Sequence, residues 1–318
     1  MKAAVRHTYG PPSVIRIEDR PRPEPGEGEV LIRVAAAAAN PLDWHFLRGA
    51  PRVMRLQSGL RRPKEVRLGQ DVAGVIEAVG PGVTRWAVGD EVLGSCLGAY
   101  AEHAITGQDE LVAKPAAMSF AEAAGLPVAG STALQGLRDH CRLSAGQRVL
   151  ITGAGGGVGH LAVQIAHAMG AHVTAVCSTG NVELVRSLGA DVAVDYTRED
   201  VRRTTEPFDV IFDLAAALPY RDLRRLCTPR GVISVAGSAK ERPMRHLIAG
   251  ALLGPFASQR MPIFVASIKH SDLEELTALV DAGKLRVEVS RTYPLGEVAA
   301  AIGQIETGRT RGKVVVTP

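Results

Sequence analysis

Cysteine is scarce in this chain, with four in 318 residues. Cys96, Cys141, Cys177 and Cys227 stand far apart, and none forms a C-x-x-C pair. A disulfide framework is thereby excluded. Aromatic residues are also few, at 4%. No dense Lys/Arg run is interleaved with them, so the net charge of +4 does not point to nucleic acid. Long apolar runs are missing too. The most membrane-like stretch, Leu247 to Ala257, is too short to span a bilayer and contains Pro255. The first residues, MKAAVRHTYGPP, lack the apolar core of a signal peptide. These absences together imply a soluble cytoplasmic protein with neither membrane nor nucleic acid as partner. The most basic stretch, Arg52 to Arg67, reads as a solvated loop. The alternative is that it attracts an anionic cofactor or substrate.

The chain is long enough for two packed cores. Its 34 glycines announce many tight turns or close backbone approaches. The first third reads as strands and turns: Ala3–Val5, Val14–Glu18, Val30–Ala35, the DVAGVIEAVG run from Asp71, and a further strand beginning at Gly89. The run Ala35–Ala39 reads as a tightly packed strand end. This pattern implies a partly open β-barrel.

From Phe120 onward, helix and strand periods alternate. Helices are expected at Phe120–Leu126, Ser131–His140, His160–Met169, Val182–Leu188 and Tyr220–Leu226. Between them come short apolar strands at Arg148–Thr152, His172–Cys177, Val192–Asp195, Asp209–Asp213 and Val232–Ala236. Such alternation is the signature of a doubly wound parallel sheet, an α/β fold. The tail carries helices at Ser271–Ala282 and Leu295–Thr307 and a last strand at Lys313–Thr317.

The strongest local signal is RVLITGAGGGVGHLAVQIAHAMGAHVTAV. A strand runs into a glycine turn, an apolar helix and a second strand, the context in which such a turn binds a dinucleotide. Backbone N–H groups and the positive helix end are then aimed at a pyrophosphate. The turn is not a strict G-x-G-x-x-G. Its best register is Ala154-x-Gly156-x-x-Gly159, with Gly157 and Val158 between the last two. In this register Gly156 lets a phosphate approach the chain, and Gly159 lets the helix pack on the strand.

The end of the second strand selects the cofactor. An NAD site usually has an acidic residue there for the ribose hydroxyls. Here the sequence is Cys177-Ser178-Thr179-Gly180-Asn181, with no carboxylate to repel a 2′-phosphate. Ser178, Thr179 and Asn181 offer short polar side chains instead, which favours NADPH over NADH. The same residues also suit an ordinary turn and helix N-cap.

Several motifs in order along nearly the whole chain carry a family resemblance. They are YGPPSVIRIED, GEGEVLIRV, NPLDWHFLRG, GQDVAGVIEAVGPGV, GDEV, GAYAEH, AAGLPVAGSTALQGL, GAGGGVGHLAVQIA, GADVAVDY and RGKVVVT. The chain resembles the zinc-independent, quinone-oxidoreductase-like branch of the medium-chain dehydrogenases/reductases. The resemblance implies a Rossmann domain over residues 121–262, inserted in a GroES-like substrate domain made of 1–120 and 263–318. It also aligns Asn40 and Gln70-Asp71 with positions where the zinc enzymes carry Cys and a His-Glu pair, so no metal is expected.

By the same resemblance, Asn40 and Asp43 belong to a loop beside the nicotinamide. His45 stands two residues after Asp43, where relatives often have Tyr. It either gives a proton or a hydrogen bond to the substrate carbonyl, or merely packs beside Trp44 and Phe46. Thr132, Gly237 and Ser238 are expected to line the cofactor. Asp213 and Leu214 should end a strand near the ribose, and Tyr196 should lie near the adenosine end. Gly180 stands where close relatives often carry Arg.

The implied activity is NADPH-dependent reduction of an enone or quinone without zinc, with His45 and Asn40 as catalytic candidates. The alternatives are a carbonyl reductase or biosynthetic tailoring reductase of the same superfamily, and a cofactor-binding sensor without turnover. Leu247, Leu252, Leu253 and Phe256 form either an apolar lid or a packed amphipathic helix. A homodimer is expected, with Ile263–Ser267 as the strand that extends a sheet across a two-fold axis.

Overall fold

The computed structural model of the chain describes residues 1–236, 258–262 and 264–318. It divides into two compact units. The first comprises Met1–Ala129, Ile268–Ala282 and Val287–Pro318; the second comprises Gly130–Ser267 and Gly283–Arg286. The proposed lid residues and Gly237-Ser238 lie outside the described residues.

The strands, in chain order, are β1 (Lys2–Val5), β2 (Arg16–Asp19), β3 (Glu29–Ala39), β4 (Asp71–Val79), β5 (Glu91–Ser95), β6 (His103–Gly107), β7 (Leu111–Ala113), β8 (Arg148–Thr152), β9 (His172–Cys177), β10 (Val192–Asp195), β11 (Phe208–Asp213), β12 (Cys227–Val235), β13 (Val289–Pro294) and β14 (Lys313–Thr317). The helices used below are α1 (Pro41–Arg48), α2 (Phe120–Ala124), α3 (Pro127–Gln135), α4 (Gly159–Ala168), α5 (Val182–Ser187), α6 (Tyr220–Leu226), α7 (His270–Asp281) and α8 (Val298–Glu306).

The first unit is β-rich. Its main sheet runs β13-β14-β3-β4-β5-β7, with β6 pairing β3, and β1 and β2 form a separate antiparallel pair. The long strand β3 organises it. Its partners are β6 at one end, β14 at the other and β4 along most of its length. Ala36–Ala39 are buried there, because small side chains suit a strand flanked on both edges. The core beneath β3 and β4 gathers Val30, Ile32, Leu47, Val72, Ile76 and Ile302.

The second unit holds a five-stranded sheet in the order β10-β9-β8-β11-β12. Every pairing in it is parallel. The chain steps outward from β8 through β9 to β10, then restarts on the other side of β8 with β11 and β12. That reversal is the topological switch point of a doubly wound sheet. Strands covered on both faces read as continuous apolar runs, and Val149, Leu150 and Ile151 are all fully buried.

Three expectations change. The NPLDW segment is not a loop but the start of α1, with Asn40 as N-cap, Pro41 at the first helical position and Asp43 accepting the Asn40 N–H at 2.7 Å. The helix expected over Ser131–His140 is α3 up to Gln135, followed by a π-helical turn, Gly136–Cys141. A Cβ at Gly136 would meet the Phe212 ring at 2.5 Å, so a larger residue would not fit at the start of that turn. Residues 264–267 form no strand in this chain. There the Ser267 backbone is held by the Gln135 amide, with distances of 2.6 and 3.2 Å; Ile263 is outside the described residues.

Leu150 sits on the central strand of the second unit with no exposed surface. Leu150→Ala leaves a cavity that neighbouring strands cannot close, so stability should fall by about 3 kcal/mol in urea denaturation.

Candidate active site

In the second unit, the described cofactor candidates other than Thr132 lie at or just after the carboxyl ends of parallel strands, where open α/β sheets bind ligands. The turn after β8 runs from Gly153 to Val158 and leads into α4. Gly153 has φ +64°, a left-handed backbone that glycine adopts without strain. Its carbonyl accepts the Gly156 N–H at 3.0 Å and closes the turn. A Cβ at Gly159 would lie 2.1 Å from the Gly153 oxygen, so this glycine lets the helix start tight against the turn. A Cβ at Gly156 would have the Gly153 oxygen, at 3.2 Å, as its one near neighbour. The face at Gly156 is therefore open, a cradle that a side chain would fill and a pyrophosphate fits.

The loop after β9 packs on this turn. A Cβ at Gly155 would meet the Asn181 side chain at 2.5 Å, and Asn181 Nδ2 donates to Ser178 Oγ at 3.2 Å. Ala154 is buried. Tyr196 follows β10; its N–H donates to the Cys177 carbonyl at 3.1 Å, and its side chain is exposed. After β11, the Thr152 hydroxyl donates to Asp213 and accepts the Leu214 and Ala215 N–H groups at 3.1 and 3.2 Å. Asp213 in turn accepts the Ala216 N–H at 2.9 Å. This knot ties the ends of β8 and β11 together. Thr132 is half-buried on α3.

The strand end that looked free of carboxylates in the sequence is not. The parallel register sets Asp195 beside Cys177, and Asp195 Oδ2 accepts from the Thr179 hydroxyl at 2.7 Å. Asp195 also accepts from the Thr197 N–H and hydroxyl, with Arg198 at 3.6 Å. The Thr179 hydroxyl leads the partners that hold this carboxyl below its ordinary range. The Thr179 proton is thereby committed to Asp195, and Arg198 balances the charge.

In the first unit, the expected residues belong to a buried polar cluster. Asn40 Nδ2 donates to Asp71 Oδ2 at 2.8 Å, and Lys313 Nζ donates to Asn40 Oδ1 at 2.6 Å. Lys313 Nζ is also 3.5 Å from Asp71 Oδ2. The other oxygen of Asp71 accepts the Val128 N–H at the start of α3, at 3.0 Å, where the helix dipole favours a carboxylate. Asp43 Oδ2 accepts from the Tyr100 hydroxyl at 2.8 Å. None of these five side chains belongs to a residue more than 6% exposed. Burial pushes the Asp43 carboxyl up to about 6 and raises Asp71, while it lowers the Lys313 ammonium; the attraction between Asp71 and Lys313 opposes both of the last shifts.

His45 is on the same helix as Asp43. Its ring stacks on Trp44 with centroids 3.7 Å apart, and its Nδ1 lies 2.8 Å from the Ala50 carbonyl. A carbonyl only accepts, so Nδ1 carries the proton and Nε2 is an acceptor. Burial lowers the His45 pKa, so at neutral pH this imidazole has no second proton to give. Of the two expected neighbours, Trp44 stacks on the ring, and the Ala50 carbonyl holds it from the backbone side. A surface cavity of about 610 Å³ on the first unit, lined by Arg85, Trp86, Lys114, His270 and Glu274 among others, contains none of the expected residues.

Asn40, Gln70 and Asp71 test whether zinc could be held in the first unit. Neutral tetrahedral zinc needs Cys or His ligands. Asn40, Gln70 and Asp71 supply neither, and the oxygens of Asn40 and Asp71 face the Lys313 ammonium instead. Among the described residues, no three His, Cys, Asp or Glu side chains cluster in a way that would hold a metal ion. This donor set does not fit zinc.

Known proteins place this geometry. The alcohol dehydrogenase GroES-like domain family matches residues 26–133, and the zinc-binding dehydrogenase family matches residues 188–316. The chloroplastic NADPH-dependent alkenal/one oxidoreductase of Arabidopsis thaliana is 34% identical, over 100% of this chain and 80% of its own length. The chain is a medium-chain dehydrogenase/reductase of the quinone-oxidoreductase-like branch. Other proteins are similarly near. The mitochondrial NAD(P)H oxidoreductase RTN4IP1 of Mus musculus is 33% identical over 90% of this chain and 81% of its own length. The structure of the quinone oxidoreductase from Coxiella burnetii superposes with a TM-score of 0.86 at 30% identity, covering 100% of this chain and 99% of the other. No helix among the described residues of this medium-chain dehydrogenase/reductase is long and apolar enough to cross a membrane.

Asp43 gives a pH signature. Its carboxyl pKa of about 6 lies above the value of about 3.9 expected in the unfolded chain. Its contribution to stability is therefore fully present below pH 4 and is lost as pH rises through 6, by about 3 kcal/mol in all. A carboxyl carbon titrating near pH 6 should appear in the NMR spectrum of the wild type and vanish in Asp43→Asn.

Proposed function

We propose that this oxidoreductase reduces the activated C=C bond of an enone, or a quinone, by hydride transfer from NADPH and without zinc. The observation that carries the reading is the open cradle at Gly156, set at the switch point of the parallel sheet. The alkenal/one and quinone oxidoreductases to which the chain is similar supply the reaction class.

On this reading the second unit binds the cofactor and the first binds the substrate. The turn Ala154, Gly156, Gly157, Val158 and Gly159 would hold the pyrophosphate. Ser178, Thr179, Asn181 and Tyr196 would hold the adenosine end. Thr132, Asp213 and Leu214 would line the ribose and nicotinamide side, and Asn40 is the cofactor-side candidate of the first unit. NADPH supplies the hydride for the β-carbon of the acceptor when it is bound. Negative charge then builds on the substrate carbonyl oxygen, which needs a hydrogen-bond donor. A neutral His45 does not serve as the acid, so the α-carbon proton comes from solvent.

Two further parts of the reading rest on smaller observations. Four free, buried cysteines suit a reducing compartment such as the cytoplasm. The edge position of β12 among the described residues and the 93% exposed Val265 suit a homodimer.

Purified protein should oxidise NADPH in the presence of an enone or quinone panel, followed by loss of nicotinamide absorbance. Tight NADPH binding with no turnover on any acceptor would overturn the reading. In Gly156→Val, the added side chain fills the cradle. We expect NADPH affinity to fall at least tenfold in a fluorescence titration while the far-ultraviolet circular dichroism stays unchanged. His45→Ala should lower the rate with the best acceptor by about tenfold or less, because the imidazole does not carry the transferred proton.

A further inference from the structure

The basic stretch that reads in the sequence as a solvated loop has a second character in the structure. Residues 48–67 hold seven basic side chains and one acid. Three of the seven are occupied within the chain. Arg48 pairs with Glu306, Arg67 pairs with Glu65 at 2.8 Å, and Arg55 donates to the Gly49 and Arg48 carbonyls, each at 3.0 Å. Arg52, Arg61, Arg62 and Lys64 are exposed, and their side chains have no hydrogen bond or ion pair among the described residues.

Aliphatic side chains stand exposed among these cations. A 3₁₀ turn, Arg52–Met54, runs straight into a helical turn, Arg55–Ser58. Val53 and Leu56 are three residues apart in it and share a face, and Leu60 follows directly on Gly59. These three are 61%, 68% and 67% exposed. The other side of the loop packs inward: Met54 and Arg55 are half-buried, and Gly59 and Pro63 are buried.

Looseness does not explain the exposure. The Arg55 guanidinium lies over the Tyr9 ring, 4.5 Å from its centroid, and the Tyr9 hydroxyl donates to the Gly59 carbonyl at 2.7 Å. The Lys64 N–H donates to the Ser58 carbonyl at 2.8 Å and closes the loop. Gly59 has φ +114°, and a Cβ there would lie 2.1 Å from the Arg62 oxygen. The loop is held in one shape from beneath, and that shape turns its aliphatic side chains to water.

An exposed apolar patch rimmed by polar groups marks a contact surface, and charge selects the partner. A second copy meeting this patch across a two-fold axis would set four unpaired cations against four more. A nucleic acid would engage the cations, but residues 52–64 contain no aromatic ring on which a base could stack. An anionic lipid surface engages both kinds of side chain. The aliphatic groups enter the boundary between headgroups and acyl chains, while the cations meet the phosphates. Such a contact needs no membrane-spanning segment.

We propose that the loop 52–64 docks the protein on the surface of an anionic lipid bilayer, with Val53, Leu56 and Leu60 inserted and Arg52, Arg61, Arg62 and Lys64 on the lipid phosphates. The docking does not rest on the proposed function; its use, which is to reach apolar acceptors dissolved in lipid, does.

The test is flotation of the full chain with vesicles, with neither cofactor nor acceptor added. The wild type should bind vesicles of phosphatidylcholine with about one third phosphatidylglycerol at least tenfold more tightly than vesicles of phosphatidylcholine alone, and about 0.5 M sodium chloride should release most of it. Leu56→Ser with Leu60→Ser, and separately Arg61→Glu with Arg62→Glu, should each weaken binding at least tenfold. All four side chains are exposed, so the urea midpoint should barely move in either variant. A wild type that does not bind the anionic vesicles, or binding that either pair of substitutions leaves unchanged, would overturn the proposal. So would a leucine pair that lowers the particle mass in light scattering and leaves vesicle binding intact, since the patch would then be a subunit contact. With no acceptor present, failure of the chain to reduce any enone or quinone counts against the proposed function alone.

Discussion

An ammonium group shut away from water must find its acceptors inside the protein, and the first unit is arranged around how Lys313 finds them. One acceptor caps α1, and the other, through its second oxygen, meets the first turn of α3. A single charge thus links the last strand of the chain, the longest strand and the beginnings of two helices. The antiparallel register of β14, β3 and β4 is what makes this possible, and a one-residue slip would turn each of the three side chains to the opposite face. Asp43 and Tyr100 extend the cluster toward α1, so the helix that carries His45 is fixed at its first turn from two directions.

The second unit solves a different problem with backbone rather than charge. On the proposed function, a pyrophosphate would be held there by N–H groups and a helix end, which any sequence supplies once the chain turns tightly enough. The specific requirement is the absence of side chains at Gly153, Gly156 and Gly159. The knot of Thr152, Asp213 and the amides after it then fixes the strand end on the other side of the switch point. Acidic and hydroxyl groups pair with each other here instead of waiting for a ligand, as Asp195 does with Thr179.

Much of this was legible in the residues. The parallel strands β8, β9 and β10 fall where their apolar runs lie, because a strand covered on both faces needs nothing but apolar side chains. The glycine turn was legible for the same local reason. Helix α1 was readable in principle, since Asn40-Pro41 followed by Asp43 is a helix start, but two short polar residues beside a proline read equally as a loop. The brief strands β6, β7 and β13 were missed because a few residues carry little period. Lys313 and its partners were out of reach altogether: the pairing with Asn40 spans 273 positions, and nothing local marks the lysine of RGKVVVT as buried. The partnership of Asp195 with Thr179 was hidden likewise, because it depends on which strand lies next to which.

The central claim is that the hydride goes to a carbon β to an electron-withdrawing group, and it can be followed atom by atom. Turnover of a simple enone with NADPH carrying deuterium at the transferring C4 position should yield the saturated ketone with deuterium on its β-carbon, and solvent deuterium should appear only at the α-carbon. Deuterium on the carbonyl carbon, giving an allylic alcohol, would contradict the account and make the protein a carbonyl reductase.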